Sequence, residues 1–319
     1  MDQVTEKISQ YHRILSSTLN SFILLTWLLA ACQTTPTPFI PPAGITPGPD
    51  GETSVPSNTT QPPTEPPTPT NTPIPLALIV NDESITLTEY ELALNRLLTV
   101  QPDLLPDEAR TRILDELIDQ LLLAQAAAQS GFVVDRTLLE ERTDALAEAI
   151  GGMAALNTWM VDNGYTEEFF QLELRRSIAS AWMRDQIIAA VPQTAEQVHA
   201  RQLLLLSAVE ATNVYNQLQS GVTFDVMLAY YDPIGLGDLG WFPRGYLAET
   251  VIEEVAFTLE PGAYSQVIET SLGFHVIQLI ERQPDMPIAP NVRLMLQEKT
   301  LIGWLEQQRL VSTITVLIP

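Results

Sequence analysis

Two glycine-containing segments constrain the fold of this chain more than any other feature. The first, Gly237–Phe242, predicts a tight turn that runs into a strand, because glycine tolerates backbone angles that other residues resist. The second, Leu272–Ile277, predicts a turn glycine followed by a strand in which His275 points to the face opposite its two neighbours. A helical pattern over residues 248–259 and a turn at Glu260–Gly262 separate the two segments. Together they predict a strand, a helix and a strand in close succession.

The residues around these segments complete a small α+β domain. Val198–Leu206 predicts a strand, and Ser207 with Glu210 forms a capping box that opens the next helix. A short helix is predicted over residues 224–230, a strand near 265–270, and the last strand over 274–281. The order is therefore strand, helix, helix, strand, helix, strand, strand. This order predicts helices packed on a four-stranded, mostly antiparallel sheet.

The preceding region, residues 76–195, predicts an all-α domain opened by one strand. Leu76–Val80 predicts that strand, residues 81–84 predict a turn, and Thr86 with Glu89 forms a capping box for the first helix. Four further helices, each with a glycine or proline within two residues of its end, are predicted over residues 107–130, 136–150, 154–162 and 166–190. Their wide apolar faces fit either a plain helical bundle or a groove that binds client chains.

The N-terminus predicts export and membrane attachment. The apolar run Phe22–Ala31 has the length of a signal-peptide core and ends at Cys32. Leu29–Cys32 resembles a bacterial lipobox, in which the cysteine is acylated after cleavage; the alternative is a short membrane anchor with an incidental cysteine. Residues 1–32 are thus predicted to be a lipoprotein signal, and an acylated Cys32 cannot be a catalytic thiol. Residues 33–75, rich in proline and threonine, predict a disordered stalk.

Composition excludes several classes of function. The formal net charge of −23 argues against nucleic acid as a partner, because phosphate binding needs a basic patch. Three histidines and one cysteine cannot build a zinc cluster, and one cysteine cannot form a disulfide within the chain.

Residues 196–284 resemble the parvulin (PpiC) family of peptidyl-prolyl isomerases. The resemblance extends over the whole predicted domain. It rests on Val198–Leu204, Phe224, Leu228, Ala229, Gly237–Phe242, Arg244, Gly245, Glu254–Leu259, Gly262 and Gly273–Ile277. Residues 76–190 are similar to the helical region of membrane-anchored or periplasmic foldases of the PrsA and SurA kind, in which the C-terminus completes the helical domain. We accordingly expect residues 285–319 to contain a helix, Leu301–Leu310, and a strand, Ser312–Ile318, that pairs with Leu76–Val80.

The resemblance also implies a site. The family has two hydrogen-bonded histidines; His275 matches the second, and Gln202 stands where the first would be. Glutamine still donates and accepts hydrogen bonds. The family also has an aspartate or cysteine in the loop after the short helix, and Asp232 is the candidate for this position. The proline pocket falls on Leu239, Phe242, Leu247 and Val251, where Val251 replaces a family phenylalanine. No metal or cofactor is implied.

Two functions remain open. One is a lipid-anchored foldase on the extracytoplasmic face of the cell membrane, which isomerises X-Pro bonds in unfolded or partly folded secreted proteins. The other is a holdase chaperone that binds unfolded polypeptides through its helical domain and has weak or no catalysis.

Overall fold

The computed structural model describes residues 74–318. The predicted signal peptide, Cys32 and the predicted stalk up to residue 73 lie outside the described residues.

Within this range the chain forms helices and strands of an α+β protein, which confirms the predicted fold class. The helices are α1 (Leu87–Val100), α2 (Pro106–Gln129), α3 (Arg136–Ile150), α4 (Met153–Asp162), α5 (Glu167–Ala189), α6 (Ala208–Gln219), α7 (Phe224–Tyr231), α8 (Thr250–Thr258) and α9 (Pro290–Val311). The strands are β1 (Leu76–Val80), β2 (Glu83–Thr86), β3 (Thr194–Leu205), β4 (Asp238–Pro243), β5 (Ile268–Thr270), β6 (Gly273–Pro287) and β7 (Ile314–Val316).

The described residues divide into two compact units. The first contains residues 74–116, 135–171 and 315–318, and the second contains residues 117–134 and 172–314.

The first unit contains a three-stranded sheet in the order β2-β1-β7. The predicted four-residue turn after β1 is wrong: Val80 pairs with Glu83, so the turn has two residues and the next four form β2. Asn81 makes this tight turn possible because it adopts the left-handed conformation, with a φ of 55°. Leu317 N donates to Ala77 O at 2.8 Å, and the predicted pairing of the first and last strands is confirmed.

The five helices predicted over residues 76–195 are confirmed as α1 to α5. Thr86 and Glu89 form the predicted capping box, with each side chain bonded to the backbone N–H of the other residue. Gly151 ends α3 in the left-handed conformation, with a φ of 105°.

The second unit contains a fully antiparallel four-stranded sheet in the order β4-β3-β6-β5. Three predicted bounds near its ends are wrong. β3 begins at Thr194 and β6 continues to Pro287, because the ladder between them extends through polar residues that have no alternating pattern. α9 begins at Pro290 rather than Leu301; proline suits the first turn of a helix, where its missing N–H costs nothing.

Apolar clusters pack on both faces of this sheet. On one face Leu203, Leu205 and Val276 pack against α6 and α7. On the other face Val198, Ala200, Phe242, Ile277 and Leu279 pack against α8. Burying one large apolar side chain of these clusters, such as Leu203 or Phe242, contributes about 2 kcal/mol to folding.

Candidate functional site

The site lies where the buried side of β3 changes. In the first half of the strand Val198 and Ala200 are buried under α8, whereas in the second half Leu203 and Leu205 are buried on the opposite face. Gln202 lies between these two parts. It shares the α8 face with Val198 and Ala200 because alternate residues of a strand point to the same side. The apolar cluster under α8 includes Val198 and Ala200 but not Gln202. Polar side chains can therefore be accommodated on this face from Gln202 onward.

His275 and Gln202 form the central pair. His275 Nδ1 lies 3.0 Å from Gln202 Oε1. The pair is diagonal across β3 and β6, since His275 pairs with Leu204 and Gln202 pairs with Ile277. His275 is only 1% exposed. The structure therefore brings together two of the three side chains that the sequence predicted for the catalytic group.

Thr270 is a third member that the sequence reasoning missed. Its Oγ1 lies 2.8 Å from His275 Nε2, and it accepts a hydrogen bond from Leu272 N at 3.1 Å. Because Gln202 Oε1 is an acceptor, His275 Nδ1 carries the proton and Nε2 accepts the Thr270 hydroxyl. The tight turn between β5 and β6 could have indicated this role for Thr270, because it pairs Thr270 with Gly273 and so brings the Thr270 side chain near His275.

His275 is held in its neutral form. Burial lowers the pKa of the imidazole from 6.5, and the Glu249 carboxylate opposes this effect by a smaller amount. Glu249 also accepts a hydrogen bond from Ser271 Oγ at 3.3 Å. A neutral ring with one donor and one acceptor nitrogen matches the partners that Gln202 and Thr270 offer.

Asp232 is placed apart from this pair, in the loop before β4. Its carboxylate accepts hydrogen bonds from Gly235 N and Gly237 N, each at 2.9 Å, and these bonds lower its pKa from 3.8. Gly237 O in turn accepts from Gln202 N at 2.8 Å. Asp232 thus reaches Gln202 through one backbone residue, Gly237, and its direct effect is to hold the loop.

The four predicted pocket residues differ in burial. Leu239 and Leu247 are half-buried against the α8 cluster, and Phe242 is fully buried in it beside the rings of Tyr246 and Phe257. Val251 lies outside this cluster and is 40% exposed.

Ile252, the next residue on α8, points inward. It is 4% exposed and belongs to the cluster, together with Ala256 one helical turn later. Residues four apart on a helix share a face, so the phase of α8 directs Ile252 inward and Val251 outward.

His199, the other histidine on β3, does not join the pair. Its Nε2 lies 2.7 Å from Asp238 Oδ1, and its ring lies 5.5 Å from the ring of Trp241. It points to the sheet face opposite Gln202.

In the described part of the chain, no three His, Cys, Asp or Glu side chains are grouped so that they would hold a metal ion. None of the helices between residues 74 and 318 is both long and apolar enough to cross a bilayer.

Comparison with known families identifies the domain. Residues 208–281 match the family model Rotamase, described as the PPIC-type PPIASE domain. The predicted resemblance to parvulin-type isomerases is confirmed. The match contains His275, Asp232 and the predicted pocket, and it begins after Gln202.

Curated relatives extend the similarity upstream. The chain is 23% identical over 255 residues to Chaperone SurA of Alcanivorax borkumensis, covering 65% of this chain and 57% of the relative. It is 25% identical over 183 residues to Foldase protein PrsA of Geobacillus kaustophilus, covering 54% of this chain and 62% of the relative. The matches thus span less than two thirds of either relative.

One solved structure is also similar to this chain, at lower sequence identity than the two curated relatives. The crystal structure of the peptidylprolyl isomerase PrsA from Bacillus cereus superposes with a TM-score of 0.42 at 19% identity, covering 72% of this chain and 88% of that one.

Proposed function

We propose that this chain is an extracytoplasmic, membrane-anchored foldase that catalyses peptidyl-prolyl cis-trans isomerisation in secreted client proteins. The observation that supports this most is the His275–Gln202–Thr270 network at the edge of an apolar cluster, in a chain with a PPIC-type domain match. The named relatives, a chaperone and a foldase, agree with such a role.

The reaction suits a site of this composition. Rotation about a peptide bond has a barrier of about 20 kcal/mol, and an X-Pro bond isomerises over tens of seconds or longer unaided. Lowering the barrier requires that the twisted amide be favoured over both planar forms. An apolar pocket that holds the proline ring removes water from the amide, and positioned hydrogen-bonding groups favour the twisted state. No nucleophile, metal or cofactor is needed.

The roles of the residues follow from their positions. Leu239 and Leu247 offer half-buried apolar surface for the proline ring, and the buried Phe242 and Ile252 support it from beneath. Neutral His275 and Gln202 supply hydrogen-bonding groups beside that surface. Thr270 fixes the ring orientation of His275 by bonding its second nitrogen.

The proposal is tested by the acceleration of a proline-limited refolding reaction. The chain lacking residues 1–32 is compared with His275→Ala and with His199→Ala, which removes the histidine on the opposite face. Acceleration that His275→Ala abolishes and His199→Ala retains is the expected result. A folded wild-type chain that does not accelerate refolding contradicts the proposal.

The second candidate is a holdase chaperone with little catalysis. Two observations favour it: Gln202 stands where the family has histidine, and the first unit exposes large apolar side chains. These include Val100, Leu105, Met153 and Val161. The discriminating measurement is suppression of client aggregation by His275→Ala. Full suppression by a chain that has no isomerase activity would favour the holdase.

Attachment to the membrane rests on Cys32 and the lipobox-like residues before it. Cys32→Ala is expected to move the protein from the membrane fraction to the soluble fraction of the cell that expresses it. Unchanged partitioning would contradict lipidation. The proposed clients are unfolded secreted chains that contain X-Pro bonds, and the net charge of −23 disfavours nucleic acid.

A further inference from the structure

The loop between β4 and α8 is held from two sides. Residues 244–247, here the pocket turn, include Leu247, which offers half-buried apolar surface to the site. Four residues cannot keep such a turn in one conformation by themselves, because each free residue costs about 1–2 kcal/mol of backbone entropy to order. The groups that bond its backbone therefore determine where Leu247 lies.

The first group is the buried carboxylate of Glu253 on α8. Its side chain is 8% exposed. Oε1 accepts a hydrogen bond from Gly245 N at 2.6 Å, and Oε2 accepts from Leu247 N at 2.9 Å. Burying a carboxylate is costly unless its oxygens are bonded, and charge-assisted bonds of this kind are about twice as strong as neutral ones. Glu253 therefore bonds two backbone amides of the turn, those of Gly245 and Leu247.

The second group comes from α9, beyond the C-terminal bound predicted for the parvulin-type domain. Lys299 Nζ donates to Gly245 O at 2.7 Å. Leu296, one turn earlier on α9, lies over Gly245: a Cβ at that position would be 3.1 Å from Leu296 Cδ2, and Gly245 has a φ of +85°. Only glycine fits this contact without strain. The amide N–H of Gly245 thus faces Glu253 while its carbonyl faces Lys299.

We propose that Glu253 and Lys299 form a clamp on the pocket turn, and that they are positioning residues which determine the affinity of the site for prolyl peptides. This inference rests on the proposed function. It makes α9 part of the support of the pocket, although α9 lies outside residues 208–281 that match the PPIC-type domain. Both side chains bond backbone atoms of the turn, so the clamp acts on substrate binding rather than on the rotation step.

The test compares four variants of the chain lacking residues 1–32, with the tetrapeptide Ala-Leu-Pro-Phe as probe. Glu253→Gln keeps the shape of the side chain but places an amide N–H against one of the two backbone N–H groups, so one hydrogen bond is lost. Glu254→Gln is the matched control, because Glu254 is the exposed neighbour on the same helix. Lys299→Met removes the charge, and Lys299→Arg retains a donor. The measurements are peptide Kd by NMR titration, KM and kcat for isomerisation, and hydrogen exchange at the Gly245 and Leu247 amides.

We expect Glu253→Gln to raise Kd and KM about tenfold, with kcat within about twofold of wild type and faster exchange at both amides. Glu254→Gln should match wild type. Lys299→Met should raise Kd about threefold, and Lys299→Arg should restore it.

Wild-type Kd and amide exchange in Glu253→Gln would overturn the clamp, as would a lower kcat with unchanged KM. If Glu253→Gln does not fold, the test uses Lys299→Met, because Lys299 is exposed and its substitution should leave the fold intact. An unchanged Kd in Lys299→Met then overturns the proposal. A wild-type chain that binds the peptide without isomerising it contradicts only the proposed function, because Kd still tests the clamp. A wild-type chain that does not bind the peptide overturns both.

Discussion

The two faces of the four-stranded sheet differ in what they bury. The face under α6 and α7 is filled by aliphatic and aromatic side chains such as Leu203, Leu205 and Phe224. The face under α8 begins in the same way but changes at Gln202, and beyond it Leu204 is 43% exposed directly opposite His275. One face is covered by two helices and the other by one short helix that leaves part of the sheet free.

This difference explains why the site has its position. A buried polar group needs partners, and it obtains them most easily at the edge of a core, where neighbouring polar side chains still reach solvent. His275 is buried but bonded on both ring nitrogens, by Gln202 and by Thr270. We call the face under α6 and α7 the closed face and the face under α8 the open face. We expect substitutions on the closed face to lower stability and leave activity intact, and substitutions at the site on the open face to affect activity as well.

Gly237→Ala is expected to have the largest effect, because Gly237 packs directly against the backbone of Gln202. An added Cβ would clash with Gln202 O and lie 2.8 Å from Leu228 Cδ2, at a φ of +63°. A loss of about 4 kcal/mol in unfolding free energy is expected from strain and displaced backbone. Gly240→Ala is the matched control, since φ is +68° there but no atom lies within 4 Å of the added group. Denaturant unfolding of both variants measures the difference, and equal losses would contradict the clash.

Leu205→Ala tests the closed face. Leu205 is 2% exposed in the cluster under α6 and α7, so its truncation should cost about 3 kcal/mol. Since this face has no part in the site, kcat/KM of the folded fraction should stay within about twofold of wild type. Denaturant unfolding and a prolyl isomerisation assay on the same sample check both values. A large loss of activity at full folding would show that the two faces are coupled.

His275 should make stability depend on pH on the open face. Its pKa is lowered by burial, so below 6.5 the unfolded chain binds the proton more readily than the folded chain. Stability from this group is therefore complete at higher pH and declines as pH falls through 6.5. His275→Gln should flatten the curve of unfolding free energy between about pH 7 and pH 5 relative to wild type. Parallel curves for the two proteins would contradict the assignment of a buried, neutral histidine.

The smallest expected changes in unfolding free energy are those of substitutions at two neighbouring residues of α8, Val251 and Ile252. Ile252→Val should lower unfolding free energy by about 1 kcal/mol, because Ile252 is buried in the cluster. Val251→Ala should change it by less than about 0.5 kcal/mol, because Val251 is 40% exposed. Thermal unfolding of both variants compares them, and the reverse order would contradict the burial of Ile252 in the cluster.

Most of the fold could be predicted because its signals are local. Capping residues such as Thr86 and turn glycines such as Gly151 mark helix ends in a few residues. β6 past Glu281 could not be predicted, since its polar residues are held by backbone pairing with a distant strand. In the site, the pair of Gln202 and His275 followed from the family resemblance. Thr270 and Glu253 did not, because their roles depend on register and on a turn held across the loop.

The hydrogen bond between Leu317 N and Ala77 O has a consequence for biogenesis. It joins the first and last strands of the described chain, so the β2-β1-β7 sheet cannot close until the final residues have been delivered. The ladder of β3 with β4 and β6 is complete well before that point in the sequence. During synthesis, the four-stranded sheet can therefore form before β1 has its partner β7, and a truncated product would leave the edge of β1 exposed to other chains.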